Sequence, residues 1–157
     1  MGTMRLPMKD GQINEEEAFA IIDYAYAHGV NYFDTAWSYH GGESELVTGR
    51  ALARYPRESW NLASKMPGHE TNPDFHPAPT FERQLQKCGV DYFDFYLLHN
   101  ACENSMQTYL DKDLRIIDYL LEQKEKDRIR HFGFSSHARP DTLRDFLGRY
   151  PGCFEFA

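Results

Sequence analysis

The 157-residue chain has few cysteines, no long apolar run, no basic stripe and no glycine-rich nucleotide fingerprint, and each lack removes a class of protein. Cys88, Cys102 and Cys153 are widely spaced and form no CxxC pair. An odd number at such spacing argues against a disulfide framework and against a zinc site built from thiolates. No apolar stretch approaches the roughly 20 residues that cross a bilayer, and the opening MGTMRLPMKDGQ has no apolar signal core. Leu6 stands where a myristoylation motif needs Ser or Thr. The expectation is a soluble cytoplasmic protein with no membrane partner. The formal net charge of -7, uninterrupted by any basic stripe, sets nucleic-acid phosphates aside as partners. No Gly-x-Gly-x-x-Gly follows an apolar run, which weakens a doubly wound dinucleotide-binding sheet.

What is present is enough apolar surface for one packed domain: 41% of residues are hydrophobic and 15% aromatic. Short apolar runs alternate with helical periodicity. The spacing predicts strands at Val30–Asp34, Trp60–Ser64, Phe93–Leu98 and Phe132–Phe134, with a further one starting at Cys153–Ala157. Residues around Met4 and Leu6 read as the tail of an earlier strand. Asn14, followed by Glu15-Glu16-Glu17, predicts a capped first helix ending near Gly29. Further helices are predicted over Ser44–Arg54, Thr80–Lys87 with Thr80 as cap, Leu114–Lys126, and Asp141–Leu147 started by Pro140. Strands apolar on both faces, each followed by an amphipathic helix, imply a parallel sheet covered by helices.

The chemistry lies where the apolar runs end. Asp34, Lys65 and His99 close three successive runs, and Tyr39 lies in the loop after Asp34. Each alone has an ordinary structural reading: a helix cap, a solvated lysine, a hydrogen-bonded histidine. In a closed β/α barrel, however, all such ends open on one face, and that face holds the active site. His69 and His76, with Glu70 and Asp74, match no zinc spacing and sit in a Pro-rich loop, so no metal site is expected.

In this order the residues resemble the aldo-keto reductase family. FDTAWSYHGGESE (Phe33–Glu45) is similar to its signature, LASK to the strand carrying its lysine, and DFYLLHN to the strand carrying its histidine. RIRHFGFSSH (Arg128–His137) resembles the later strand whose tip holds the nicotinamide carboxamide. The resemblance implies a catalytic tetrad of Asp34, Tyr39, Lys65 and His99, cofactor contacts from Asn100, Ser135 and Ser136, and Trp37 as a candidate wall of the substrate pocket. Ser136 stands where the family commonly has Asn. It also implies NADPH, with NADH possible, and a small carbonyl substrate. A free phenol has a pKa near 10, so the implied acid Tyr39 needs the Lys65 ammonium beside it to favour phenolate. His99 is implied to donate to the carbonyl oxygen.

A barrel of this type needs about 250 residues. The expectation is therefore a single incomplete barrel domain over 1–157, a partial (β/α)8 TIM barrel of about five βα units plus the start of another strand. From this follow three further expectations: an open sheet edge prone to self-association, an isolated chain that binds NADPH poorly or not at all and is inactive alone, and a longer parent. The wording YHGGESE and GFSSH is most similar to a microbial branch with a C-terminal ferredoxin-like segment, so an iron-sulfur cluster would belong only to that parent. The alternative class is a nicotinamide-binding regulatory or interaction module without turnover.

Overall fold

The computed structural model describes residues 1–70 and 75–157. Four parallel strands form its sheet in the order of the chain: β3 (Tyr32–Asp34), β4 (Asn61–Met66), β5 (Phe93–Leu98) and β6 (Ile129–Phe134). A two-stranded hairpin, β1 (Met8–Lys9) and β2 (Gln12–Ile13), precedes them. The helices are α1 (Glu15–Ala27), α2 (Ser44–Leu52), α3 (Pro77–Cys88), the short α4 (Met106–Tyr109), α5 (Ile116–Glu125) and α6 (Pro140–Arg149). Sequential parallel strands joined by helices give the helix-covered parallel sheet that the alternation predicts and the partial barrel that the resemblance implies. None of the helices is long and apolar enough to cross a membrane.

Strand alternation sorts the side chains into two faces. Phe33, Leu62, Met66, Tyr96, Leu98, Phe132 and Phe134 point to the helices and are buried in one apolar cluster with Phe81, Leu85, Ile117, Leu120 and Phe146. The opposite face carries Tyr32, Asp34, Lys65, Phe95 and His131. There Phe95 meets Tyr32 edge-on at 5.1 Å, stacks on His131 at 4.9 Å and touches Phe156 at 5.5 Å between ring centroids. Sheet pairing aligns Lys65 with Leu97 and Leu98 with Phe134, so the polar residues after the apolar runs finish at one end of the sheet.

Both outer strands carry a short extended neighbour. Gly2 bridges to Asp34 and Phe156 to Gly133, each in parallel sense. Counting these bridges, five βα units are present and a sixth strand position is touched. The anticipated strand at Cys153–Ala157 amounts to this one bridge. The anticipated tail around Met4 and Leu6 lies at Gly2 instead, because the chain turns at Met4–Arg5. Gly133 is required there: a Cβ would lie 2.5 Å from the Phe156 carbonyl oxygen.

Local chemistry explains most element ends. Asn14 caps α1 by accepting from Glu17 N–H, as its place before three glutamates predicts. Thr80, expected as the cap of the third helix, is a buried residue inside α3. The helix starts at Pro77, whose fixed φ suits a first turn and whose missing N–H needs no acceptor. The β1–β2 hairpin was not anticipated, although Asp10-Gly11, both at positive φ, is a strong turn signal.

Candidate active site

Lys65 lies within β4, one residue before its end, and only 5% of its surface is exposed. An ammonium has three protons, and each has an acceptor. Nζ lies 2.7 Å from Asp34 Oδ1, 2.7 Å from the Thr35 carbonyl oxygen and 3.3 Å from Tyr39 Oη. Asp34 closes β3, the strand paired directly with β4, so the ion pair spans one strand spacing. Tyr39 reaches the same point from the loop beyond. That loop reverses into α2 through His40, Gly41 and Gly42, all at positive φ. At φ +99 Gly42 holds a backbone that other residues rarely adopt. His40 Nε2 accepts from Leu6 N–H at 3.0 Å and pins the loop to the N-terminal segment.

His99 follows β5. Its ring meets Tyr39 edge-on, with centroids 5.8 Å apart at 84°. Its pKa is pushed down to about 3, first by burial and then by its electrostatic neighbours His69, Lys65 and His137. The imidazole is therefore neutral near pH 7, with one ring proton to donate. Tyr109 fixes its backbone: the phenol, itself buried, lies 2.6 Å from the His99 carbonyl oxygen and 2.9 Å from that of Met66. The Tyr109 hydroxyl oxygen in turn accepts from Gly68 N–H at 3.1 Å. A Cβ at Gly68 would lie 2.3 Å from the Tyr109 ring, so glycine lets the loop after β4 close over it.

The expected tetrad of Asp34, Tyr39, Lys65 and His99 is thus brought together at one end of the sheet. Asn100 and Ser135 also meet, because the Asn100 N–H donates to Ser135 Oγ at 3.0 Å. Asn100 sits in the left-handed region at φ +55, which asparagine tolerates. Its Oδ1 is buried without a hydrogen-bond partner among the described residues. Ser136 lies in the same turn, but its hydroxyl donates to the Ala101 carbonyl at 2.6 Å and accepts from Ala138 N–H at 3.0 Å. Loop closure therefore occupies it. Trp37 faces the Lys87 ammonium, 4.7 Å from its ring centroid, at a cleft of about 580 Å³ shared with Ser38, Leu46 and Arg83. None of the tetrad lines that cleft.

His69 belongs to the site and was missed as such. Its ring packs edge-on against His99 at 4.4 Å, and its Nε2 is 3.1 Å from Glu70 Oε1. Nothing in the spacing signals this, because the loop after β4 folds back over the sheet end only in three dimensions. Asp74, weighed with it as a metal ligand, lies outside the described residues.

A parallel β/α sheet whose strand ends gather a lysine, an aspartate, a tyrosine and a histidine has the arrangement of a barrel-type site, which opens at the carboxyl ends of the strands. The profile of the Aldo/keto reductase family matches residues 1–149, and the chain belongs to that family. Among its relatives, "Probable aldo-keto reductase 1" of Glycine max is 29% identical, over 84% of this chain and 38% of its own length. The NADH-specific methylglyoxal reductase of Escherichia coli is 27% identical, over 90% of this chain and 47% of its own length. The chain thus spans less than half of these curated relatives. An aldo-keto reductase from Bacillus halodurans, solved in its holo form, superposes with a TM-score of 0.75 at 28% identity, over 96% of this chain and 49% of its own. One from Klebsiella pneumoniae, solved in complex with NADPH, shares the fold with a TM-score of 0.74 at 24% identity, over 98% of this chain and 49% of its own.

Proposed function

We propose that this chain carries the proton-transfer machinery of a nicotinamide-dependent reductase that converts a small carbonyl compound to an alcohol. The observation that carries the proposal is the Lys65 ammonium, which touches Asp34, Thr35 O and Tyr39 Oη at once. A buried lysine whose third acceptor is a half-buried phenol is arranged to stabilise that phenol as an anion.

The residues at the strand ends fit a nicotinamide carboxamide. Asn100 Oδ1 is a buried acceptor lacking a donor among the described residues. Ser135 Oγ, having accepted from Asn100 N–H, keeps its own proton to donate. These two would hold the amide, with Ser136 shaping the turn beneath. When bound, the nicotinamide supplies the hydride that reduces the carbonyl carbon. Tyr39 gives its hydroxyl proton to the carbonyl oxygen as charge develops there, and Lys65 stabilises the phenolate left behind. Asp34 holds the ammonium in place. His99 directs its ring proton at the same oxygen and acts as an oxyanion donor.

NADPH is the expected cofactor, and the NADH specificity of the Escherichia coli relative makes NADH the comparison to run. The test is turnover of each cofactor with small aldehydes by this chain. Binding is read separately by fluorescence titration and particle mass by light scattering. The expected result is turnover that Tyr39→Phe lowers by about 10²-fold or more while cofactor affinity is retained. Turnover unaffected by Tyr39→Phe overturns the proposal, whereas a folded chain that binds neither cofactor bears out the weak binding expected of the isolated chain.

A further inference from the structure

A fully buried carboxylate lies under the candidate active site. Glu45, in the first turn of α2, is 0% exposed. Its Oε1 accepts from Ser64 Oγ at 2.6 Å and from Gln84 Nε2 at 2.6 Å. Its Oε2 lies 2.9 Å from the Lys87 ammonium, an ion pair by distance that is poorly aligned for a hydrogen bond. Removing a carboxylate from water is expensive, and such a pair is weak evidence of a contribution to stability. Its use is better sought in what it holds.

It holds Lys65. Ser64 is the preceding residue on β4 and points to the helices, so that Lys65 points to the opposite face. Gln84 Nε2 also lies 2.9 Å from Ser64 Oγ and 3.0 Å from the Lys65 carbonyl oxygen. Tyr96 donates to Gln84 Oε1, which fixes the amide's orientation. Ser64, Gln84 and Tyr96 are, like Glu45, buried. The main chain of Lys65 is therefore gripped from behind by a network centred on one carboxylate.

The same turn of α2 sets the other side of the site. Ser44 Oγ is 3.0 Å from Thr35 Oγ1 and 2.9 Å from Thr3 Oγ1. The Thr35 carbonyl is one of the three acceptors of the Lys65 ammonium. Lys87, paired with Glu45, lies under Trp37, two residues before Tyr39. Neighbouring residues of one helical turn thus tie together β3, β4 and the Tyr39 loop.

We infer that Glu45 is a positioning residue: through Ser64 and Gln84 it sets the Lys65 ammonium against Asp34 and Tyr39. The inference rests on the reading of Lys65 as the ammonium beside the acid, but it can be tested without turnover. Glu45→Gln keeps the shape but has one acceptor oxygen where Glu45 has two, so it cannot serve both Lys87 and the Ser64 and Gln84 donors without setting its NH2 against one side. The measurement is NMR of the full chain with isotope-labelled lysine side chains, the Lys65 ammonium signal being assigned by its loss in Lys65→Arg. Asp94→Asn, which alters a buried carboxylate at the opposite end of the sheet, serves as control.

Glu45→Gln is expected to shift the Lys65 signal and to speed exchange of its ammonium protons about tenfold, while Asp94→Asn leaves both unchanged. A folded Glu45→Gln chain whose Lys65 signal and exchange match wild type overturns the inference, whatever its melting temperature. If Glu45→Gln does not fold, Ser64→Ala decides instead, since it deletes one bond to Oε1 and keeps the ion pair. A smaller shift in the same direction supports positioning, and no shift overturns it. Failure of the enzymatic reading would appear separately, as a wild-type chain without turnover.

Discussion

Two ends of one sheet use the same chemistry for different ends. At the start of β5, Asp94 is 1% exposed and lies between two arginines, with Oδ2 2.6 Å from Arg57 and Oδ1 2.9 Å from Arg130. It also accepts from Leu62 N–H at 2.9 Å. Arg57 is held between the rings of Trp60 and Tyr92, 4.2 and 4.0 Å from their centroids. There cations surround a carboxylate and aromatic rings cover the cations. At the other end one ammonium serves a carboxylate, a carbonyl and a phenol, while His99 Nδ1 and Asn100 Oδ1 have no partner among the described residues. The first arrangement spends most of its polar groups on itself, only Arg57 Nε of the cluster being buried without a partner among the described residues. The second keeps some available for a ligand.

The largest test of this contrast is Lys65→Met, which is expected to cut turnover by roughly 10² to 10⁴-fold and to change stability little by comparison. Kinetics and thermal melts on one preparation check it, and equal damage to both would erase the distinction. Next comes the opposite case. Asp94→Ala leaves two arginines facing each other and is expected to cost about 3–5 kcal/mol of stability, read by denaturant melts, with turnover per folded molecule preserved. Gly133→Ala forces the Phe156 carbonyl away and is expected to cost about 1–3 kcal/mol. Hydrogen exchange should place that loss in residues 155–157 and β6, away from the tetrad.

The remaining effect appears only as the pH is lowered. The folded-state pKa of His99 is about 3, below the ordinary 6.5, because burial and its electrostatic neighbours oppose its charge. Its contribution to stability is then complete above pH 6.5 and is lost as pH falls from there toward 3, where the unfolded chain binds the extra proton. Melting profiles of His99→Gln should be flatter across that window than wild type. Parallel profiles would show that His99 is readily protonated in the fold, and the proposed neutral donor would fail with it.

Much of the fold was legible because strand and helix periodicities are local. Phe93–Leu98 reads as an uninterrupted apolar run and is the strand β5 to the residue, since both of its faces are covered. Asn14 reads as a cap because its partner, Glu17, is three residues away. Thr80 misled because two prolines just before it supply a competing start, and Pro77 fixes the first turn without any side-chain cap. The hairpin at Asp10-Gly11 carries a local turn signal, but its strands are only two residues each, too short to show a strand periodicity.

The ends of successive apolar runs singled out Asp34, Tyr39, Lys65 and His99, while Ser135 and Ser136 came from the resemblance to the aldo-keto reductases and Asn100 from its place beside His99. Glu45, Gln84, Tyr109 and His69 did not announce themselves. In sequence a buried glutamate on a helix looks like a solvated one, and Tyr109 looks like any loop tyrosine. Their meaning comes from contacts across 19 to 43 residues of chain, such as Ser64 with Glu45 and Tyr109 with Met66. The sequence by itself determined the βα alternation, the parallel sheet and the polar residues at the carboxyl ends of its strands, because each follows from local periodicity and strand direction. Only the tertiary structure decided which buried polar groups are satisfied, which stay open to a ligand, and what grips Lys65 from behind. Those depend on which side chains share a volume of low dielectric, and distance along the chain does not report that.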